Sequence, residues 1–131
     1  EARIFLELKG VKLAALRRTT EDLLHLETTL EEYIEKVNQG ENAVEEDLLF
    51  HLAIAKASSN PTLISFMLKI TPEIINNFEQ HHVCDKDTAF KGIEEHQHIL
   101  DAIKAQNPEA AKGAMKAHFK VLYQYCYNSV L

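Results

Sequence analysis

Tryptophan is missing from this 131-residue chain, and cysteine, proline and glycine are scarce, at two, three and four residues. Each scarcity narrows the possibilities. Cys84 and Cys126 lie far apart without C-x-x-C spacing, which points to a reduced pair in a cytosolic protein. So few helix breakers in a chain of this length favour helices. No run of about 18 apolar residues is present, so no membrane-spanning helix is expected, and no signal peptide is expected either. Clustered basic residues are lacking too. The formal charge is −6, and Arg17-Arg18, the one adjacent basic pair, reads as a solvated helix end. Gripping nucleic acid requires clustered Lys and Arg to neutralise phosphate, which this segment does not supply. There is no H-E-x-x-H, no Gly-rich phosphate loop, no G-x-S-x-G elbow and no evident nucleophile–base pair, so no enzyme is expected. Strand-like alternation, low-complexity segments and internal repeats are absent as well.

What is present is helical periodicity. Apolar residues make up 46% of the chain, enough for a globular fold, and the length suits one domain spanning residues 1–131. A first helix is predicted from Ala2 to about Arg18, with Ile4, Phe5, Leu8, Val11 and Ala15 inward. This pattern is already running at the first residues, so the chain is expected to continue a longer protein. Thr19-Thr20-Glu21-Asp22 approximates a capping box, opening a second helix with Leu23, Leu26, Leu30, Tyr33, Ile34 and Val37 inward. Asn38-Gln39-Gly40 closes it. A third helix to about Ser58 is apolar almost all round and is expected at the centre. Asn60-Pro61 then provides a cap and a first helical residue for a fourth helix, to about Gln80, which Pro72 should kink or interrupt. Residues 81–86 read as a loop that includes His81 and His82. A fifth helix, about Asp87 to Ala105, carries Phe90, Ile93, Leu100 and Ile103 on one face. Asn107-Pro108 repeats the Asn60-Pro61 signal before a sixth helix that runs to the C-terminus, with Ala111, Ala114, Met115, Val121, Leu122 and Tyr125 inward. The fold class is all-α, an antiparallel bundle of about six to seven helices.

Polar residues at apolar positions carry the functional signal. Asp47 and His51 are one helical turn apart and share a face in the most apolar helix. A buried carboxylate costs several kcal/mol unless it is paired or metal-bound. Of His96 and His98, periodicity turns His96 inward and His98 toward the polar side. His118 falls in the apolar stripe of the sixth helix. His96 lies eleven residues before Asn107 and His118 eleven after, so at about 1.5 Å per residue an antiparallel hairpin brings the two level. Three imidazoles and a carboxylate suit a borderline divalent transition metal, Zn(II) first, with Ni(II), Mn(II) or Fe(II) also compatible. Four protein ligands leave one or two positions for water or a small anion. Against this, a single inward histidine is ordinarily a satisfied core residue, and Asp47–His51 alone is compatible with an intrahelical hydrogen bond. His25, flanked by leucines, reads as a packed or boundary residue. Glu95-x-x-His98 has the spacing of half a di-iron site, but the rest of such a site is not found. Two other classes stay open: a helical-bundle metalloenzyme and a metal-free helical interaction module.

Several pieces, in order and spacing, carry a family resemblance: Glu1-Ala2-Arg3 with Leu6-Glu7, Leu13-Ala14-Ala15 and Thr19; Glu46-Asp47, Phe50-His51, Ala53-Ile54-Ala55, Ala57-Ser58 and Asn60-Pro61; Glu95-His96 and Ile99-Leu100-Asp101-Ala102-Ile103; Ala114-Met115 with His118. The chain resembles, over essentially its whole length, the FCD domain, the C-terminal effector domain of the FadR branch of GntR-type transcription regulators. The resemblance implies the metal quartet Asp47, His51, His96 and His118, and so the metal-using subgroup. It implies an effector cavity faced by Arg3 and lined by Asn60, and small carboxylates such as sugar acids or hydroxy acids as effectors. It further implies a cytoplasmic homodimer whose N-terminal winged helix-turn-helix, not part of this sequence, binds operator DNA.

Overall fold

The computed structural model describes residues 2–81 and 86–122. Among these residues the chain forms six helices, α1 (Ala2–Arg17), α2 (Thr20–Asn38), α3 (Val44–Ala57), α4 (Pro61–His81), α5 (Lys86–Lys104) and α6 (Pro108–Leu122), and no strand. Cys84, Cys126, His82 and Tyr125 lie outside the described residues.

Local chemistry sets the breaks. Thr19 and Asp22 form a reciprocal capping box: Asp22 N–H donates to Thr19 Oγ1 at 3.0 Å and Thr19 N–H to Asp22 Oδ2 at 2.9 Å. Two orphan donors of α2 are thereby satisfied. Gly40, at φ 75°, turns the chain out of α2. The α3–α4 and α5–α6 connections share one device. A left-handed residue, Ser59 (φ 54°) or Gln106 (φ 55°), precedes an Asn-Pro pair. The asparagine side chain then caps the following helix, Asn60 Oδ1 accepting from Thr62 and Leu63 N–H and Asn107 Oδ1 from Ala110 N–H.

Pro72 does not interrupt α4, which continues to His81. Proline removes the hydrogen bond to the carbonyl four residues back. Here that carbonyl belongs to Leu68, an exposed position where water can replace the lost donor. Of the expected loop, His81 ends α4 and Lys86 begins α5, while residues 82–85 lie outside the described residues.

The bundle is organised around α1 and α3. α1 packs on α3, α5 and α6, and α3 packs on α1, α2 and α4. One apolar core joins Val11, Ala14 and Ala15 of α1, Leu26 and Leu30 of α2, Phe50 and Ile54 of α3, Ile99 and Ile103 of α5, and Ala111, Met115 and Phe119 of α6. Three expected positions differ. Phe5 is 75% exposed because the buried face of α1 is Glu7, Gly10, Val11, Ala14 and Ala15, and Phe5, two residues from Glu7, points the other way. Phe90 is exposed because the buried stripe of α5 runs through Gly92, His96, Ile99 and Ile103. His25 is exposed beside the buried Leu26. No helix among the described residues is long and apolar enough to cross a membrane.

Candidate metal centre

α3, α5 and α6 each present a histidine to one point of the interior. His51, His96 and His118 are 1%, 1% and 4% exposed. Their ring centroids are 5.7 Å (His51–His96), 5.3 Å (His51–His118) and 4.7 Å (His96–His118) apart. The level placement expected of His96 and His118 across the Asn107 turn is what the bundle shows. Asp47, one turn before His51, completes the cluster: its Oδ1 is 2.5 Å from His96 Nε2 and 3.5 Å from His51 Nε2. The candidate ligand atoms of Asp47, His51, His96 and His118 all lie within 4.8 Å of one another, close to the span of a single coordination sphere.

The outer nitrogens explain how the rings are held. His96 Nδ1 is 2.5 Å from the carbonyl of Gly92, on its own helix. His118 Nδ1 is 2.8 Å from Glu95 Oε1 on α5, and His51 Nδ1 meets Glu7 Oε1 on α1. Every Nδ1 thus faces an oxygen acceptor, which leaves every Nε2 directed at the centre. The Nε2 atoms of His51 and His118 are buried there without a hydrogen-bond partner. An orphaned buried polar atom costs about 1–3 kcal/mol. A divalent ion bound through Nε2 removes that cost, and outer acceptors of this kind fix the required tautomer. The residues present therefore fit a metal.

Electrostatics follow the same layout. Burial alone disfavours a charged His51, but Glu7 and Asp47 outweigh it and lift its pKa to about 9. Burial likewise opposes ionisation of Glu7, yet His51 and Arg3 bring its carboxyl down to about 2. Asp47 is desolvated too, and His51 and His96 hold it well below the usual carboxylate range. Burial, with His96 and His51 nearby, pushes His118 well below its ordinary value, so its imidazole is neutral and able to ligate. Burial lifts Glu95 to about 7. The side chains of Asp47 and Glu95 keep 17% exposure, so water reaches the cluster on their side.

Periodicity named the four inward residues but missed those that brace them. Glu7 is 6% exposed, and it stands one turn before Val11 on the buried face of α1. The test that singled out Asp47, a charge on an apolar stripe, applies equally to Glu7; assigning Phe5 to that stripe concealed it. Glu95 lies between faces; its spacing marked it only with the exposed His98, whereas it braces His118. Tyr33 packs its ring 4.5 Å from His96, and burial, with Asp47 and Glu95 close by, raises its phenol above the ordinary value. Arg3, in the first turn of α1, is largely buried. Its side chain is 11% exposed, its Nε donates to Glu7 Oε2 at 2.6 Å, and its guanidinium carbon lies 5.2 Å from the Phe119 ring centroid. Asn60 acts as the cap of α4. His98 is 62% exposed on the polar side of α5, as its periodicity implied.

Comparison with known proteins identifies the family and the fold. The FCD domain pattern matches residues 1–121. The chain is 33% identical over 122 residues to the HTH-type transcriptional regulator LutR of Bacillus subtilis, covering 90% of this chain and 56% of that protein. It is 30% identical over 114 residues to the galactonate operon transcriptional repressor of Escherichia coli, covering 87% and 50% respectively. Among solved structures it superposes on a GntR protein of Streptococcus agalactiae with a TM-score of 0.81 at 27% identity, over 94% of this chain and 55% of that one. The chain therefore spans about half the length of the curated relatives it matches. With the family match over residues 1–121 and the shared fold, the chain belongs to the FCD domain family of GntR-type regulators.

Proposed function

We infer that this chain, residues 1–131, is the effector-sensing domain of a cytoplasmic transcription regulator and that it senses a small carboxylate with the help of one divalent metal. One observation carries the metal: three buried imidazoles from three helices face a common point through Nε2, each with Nδ1 on an oxygen acceptor. Asp47, His51, His96 and His118 are the ligands, and Zn(II) is the first choice for such nitrogen and oxygen donors. When bound, the ion supplies Lewis-acid positions that a carboxylate can occupy. The chain supplies the rest. Arg3, one residue removed from His51 through Glu7, gives a positive group beside the cluster. Asp47 and Glu95 stand at the side that water reaches. A sugar acid or hydroxy acid is in keeping with the galactonate named for one relative. Effector contact through Asn60 requires its amide to serve a ligand while its carbonyl oxygen caps α4.

Operator binding belongs to an N-terminal winged helix-turn-helix in the full-length protein, and the output is a change in the pose of the helices that meet it. Coupling of this kind is typically worth about 1–3 kcal/mol. Exposed Phe5 on α1 and Leu68 on α4 support pairing of two copies. The domain carries no reaction, since its relatives are named as transcription regulators.

Elemental analysis of natively purified protein, beside a His96→Ala/His118→Ala double variant, tests the centre. One metal per chain, lost in the variant, is expected. No metal as purified, and none taken up from Zn(II), Ni(II) or Mn(II), sinks the metal reading and leaves the interaction-module alternative. Turnover by the metal-loaded protein favours the metalloenzyme. An operator-binding assay on the full-length regulator, with and without candidate acids, tests sensing; an unmoved titration rejects it.

A further inference from the structure

The three imidazoles are braced differently. His96 leans on a carbonyl of its own helix, and His118 on Glu95 of the neighbouring helix that also supplies His96. His51 alone among the three leans on a helix that supplies no candidate ligand, α1, through Glu7. That carboxylate is used at both ends. Oε1 meets His51 Nδ1, and Oε2 accepts from Arg3 Nε at 2.6 Å. Its side chain is 5% exposed, in a helix face otherwise made of Gly10, Val11, Ala14 and Ala15. A carboxylate in such a place costs several kcal/mol unless both oxygens are served. Glutamine cannot replace it without loss. Two N–H donors converge on the group, and an amide has one acceptor oxygen and one donor that opposes a donor. Glu7 is not itself positioned as a ligand, because it stands on the outer nitrogen of the ring whose inner nitrogen faces the centre.

Resting on the cluster being a metal centre, we propose that Glu7 is a positioning residue that ties the centre to Arg3. One oxygen holds the His51 ring with Nε2 inward, the other holds the guanidinium, and a carboxylate drawing on Arg3 is felt at His51 through a single side chain. The link runs both ways, as any coupling between two sites must. It also joins α1 to α3, so a shift of α1 changes how His51 is presented.

The test is a cycle of Zn(II) dissociation constants, measured by competition with a chromophoric chelator on the parent chain, Glu7→Gln, Arg3→Ala and the double variant, each checked for helicity by circular dichroism. Glu7→Gln is expected to weaken Zn(II) binding by roughly tenfold to a hundredfold, the usual effect of losing an outer partner of a ligating histidine. Arg3→Ala is expected to weaken binding severalfold in the parent and to add nothing once Glu7 is glutamine. Equal Zn(II) affinity for parent and Glu7→Gln, or an Arg3→Ala effect of the same size in both backgrounds, overturns the bridge and leaves the metal centre intact. If Glu7→Gln does not fold, the ¹⁵N resonances of His51 are compared between the parent and Arg3→Ala. A changed Nδ1 signal supports the bridge and an unchanged one rejects it. If the parent takes up none of Zn(II), Ni(II) or Mn(II), the metal reading fails by itself, and the same ¹⁵N comparison in the metal-free chain still decides whether Glu7 links Arg3 to His51.

Discussion

The hydroxyl of Tyr33 on α2 lies 2.3 Å from where a Cβ on Gly92 of α5 would stand. Contact this close is impossible for a real side chain, so glycine at 92 is what lets the phenol reach α5. The same glycine offers its carbonyl to His96 Nδ1, and the Tyr33 ring packs at a tilt against the His96 ring. Gly92→Ala should therefore push Tyr33 aside and disturb His96, destabilising the chain by about 1–3 kcal/mol, the usual range for overpacking. Adding Tyr33→Phe removes the clashing oxygen and should recover much of the loss. Urea denaturation of the two variants decides it; a Gly92→Ala chain as stable as the parent speaks against the contact.

A neighbouring pair on α3 offers a second contrast. Phe50 is fully buried, with its ring edge-on to His96 at 5.1 Å, whereas Leu49 is 43% exposed. Phe50→Ala should cost about 3–5 kcal/mol as the core loses an aromatic ring and keeps a cavity. Leu49→Ala should stay within about 0.5 kcal/mol of the parent. Denaturation midpoints that move equally would mean α3 is not seated as described.

Metal should act on stability as well as occupancy. A ligand that binds only the folded state at a hundred times its Kd adds about 2.7 kcal/mol. Saturating Zn(II) should raise the melting temperature of the parent by several degrees, reversibly with chelator, and leave the His96→Ala/His118→Ala variant unmoved. A melting curve blind to Zn(II) would argue against a site that the native fold assembles.

The metal-free chain should be pH-sensitive on both flanks. His51 is raised from 6.5 to about 9 by Glu7 and Asp47 acting against burial, so its contribution is complete below pH 6.5 and lost as pH climbs through 9. Glu7 is lowered from 4.5 to about 2 by His51 and Arg3 acting against burial, so its contribution is complete above pH 4.5 and lost as pH falls through 2. Between these limits Glu95, raised by burial, and His118, lowered by it, pull in opposite directions. Melting temperatures of the metal-free chain should thus decline from pH 7 to 9 and again below 4.5. Saturating metal, which needs His51 deprotonated, should flatten the alkaline limb. An alkaline limb unaffected by metal would separate His51 from the site.

Helix positions were legible because breaks here are made by strong local chemistry: the Thr19–Asp22 box, Gly40, and two Asn-Pro caps. The inward histidines were legible because one helical period separates each from unambiguous core neighbours, Ile54 for His51, Ile99 and Leu100 for His96, Met115 for His118. Where two faces competed, reading failed. Phe5 and Phe90 are large and apolar, yet the faces of α1 and α5 are set by the approach of neighbouring helices, which admits Glu7 and Gly92. Glu95 stood out only through its spacing to His98, and its pairing with His118 exists only once α6 lies against α5. Arg3 gained its place partly for the same reason: Glu7 is its i,i+4 neighbour on α1, but Phe119 reaches it only once α6 packs on α1.

Asp47 and His118 are more than half the chain apart in sequence and adjacent in space. An ion gripping both would work as a removable cross-link, closing a long loop and cutting the entropy of the unfolded chain more than a short clasp could. It would also slow unfolding, because α3 could not part from α5 and α6 without first breaking coordination. The α5–α6 hairpin by itself carries only two of the four ligands, so tight uptake becomes a report that the whole bundle has assembled.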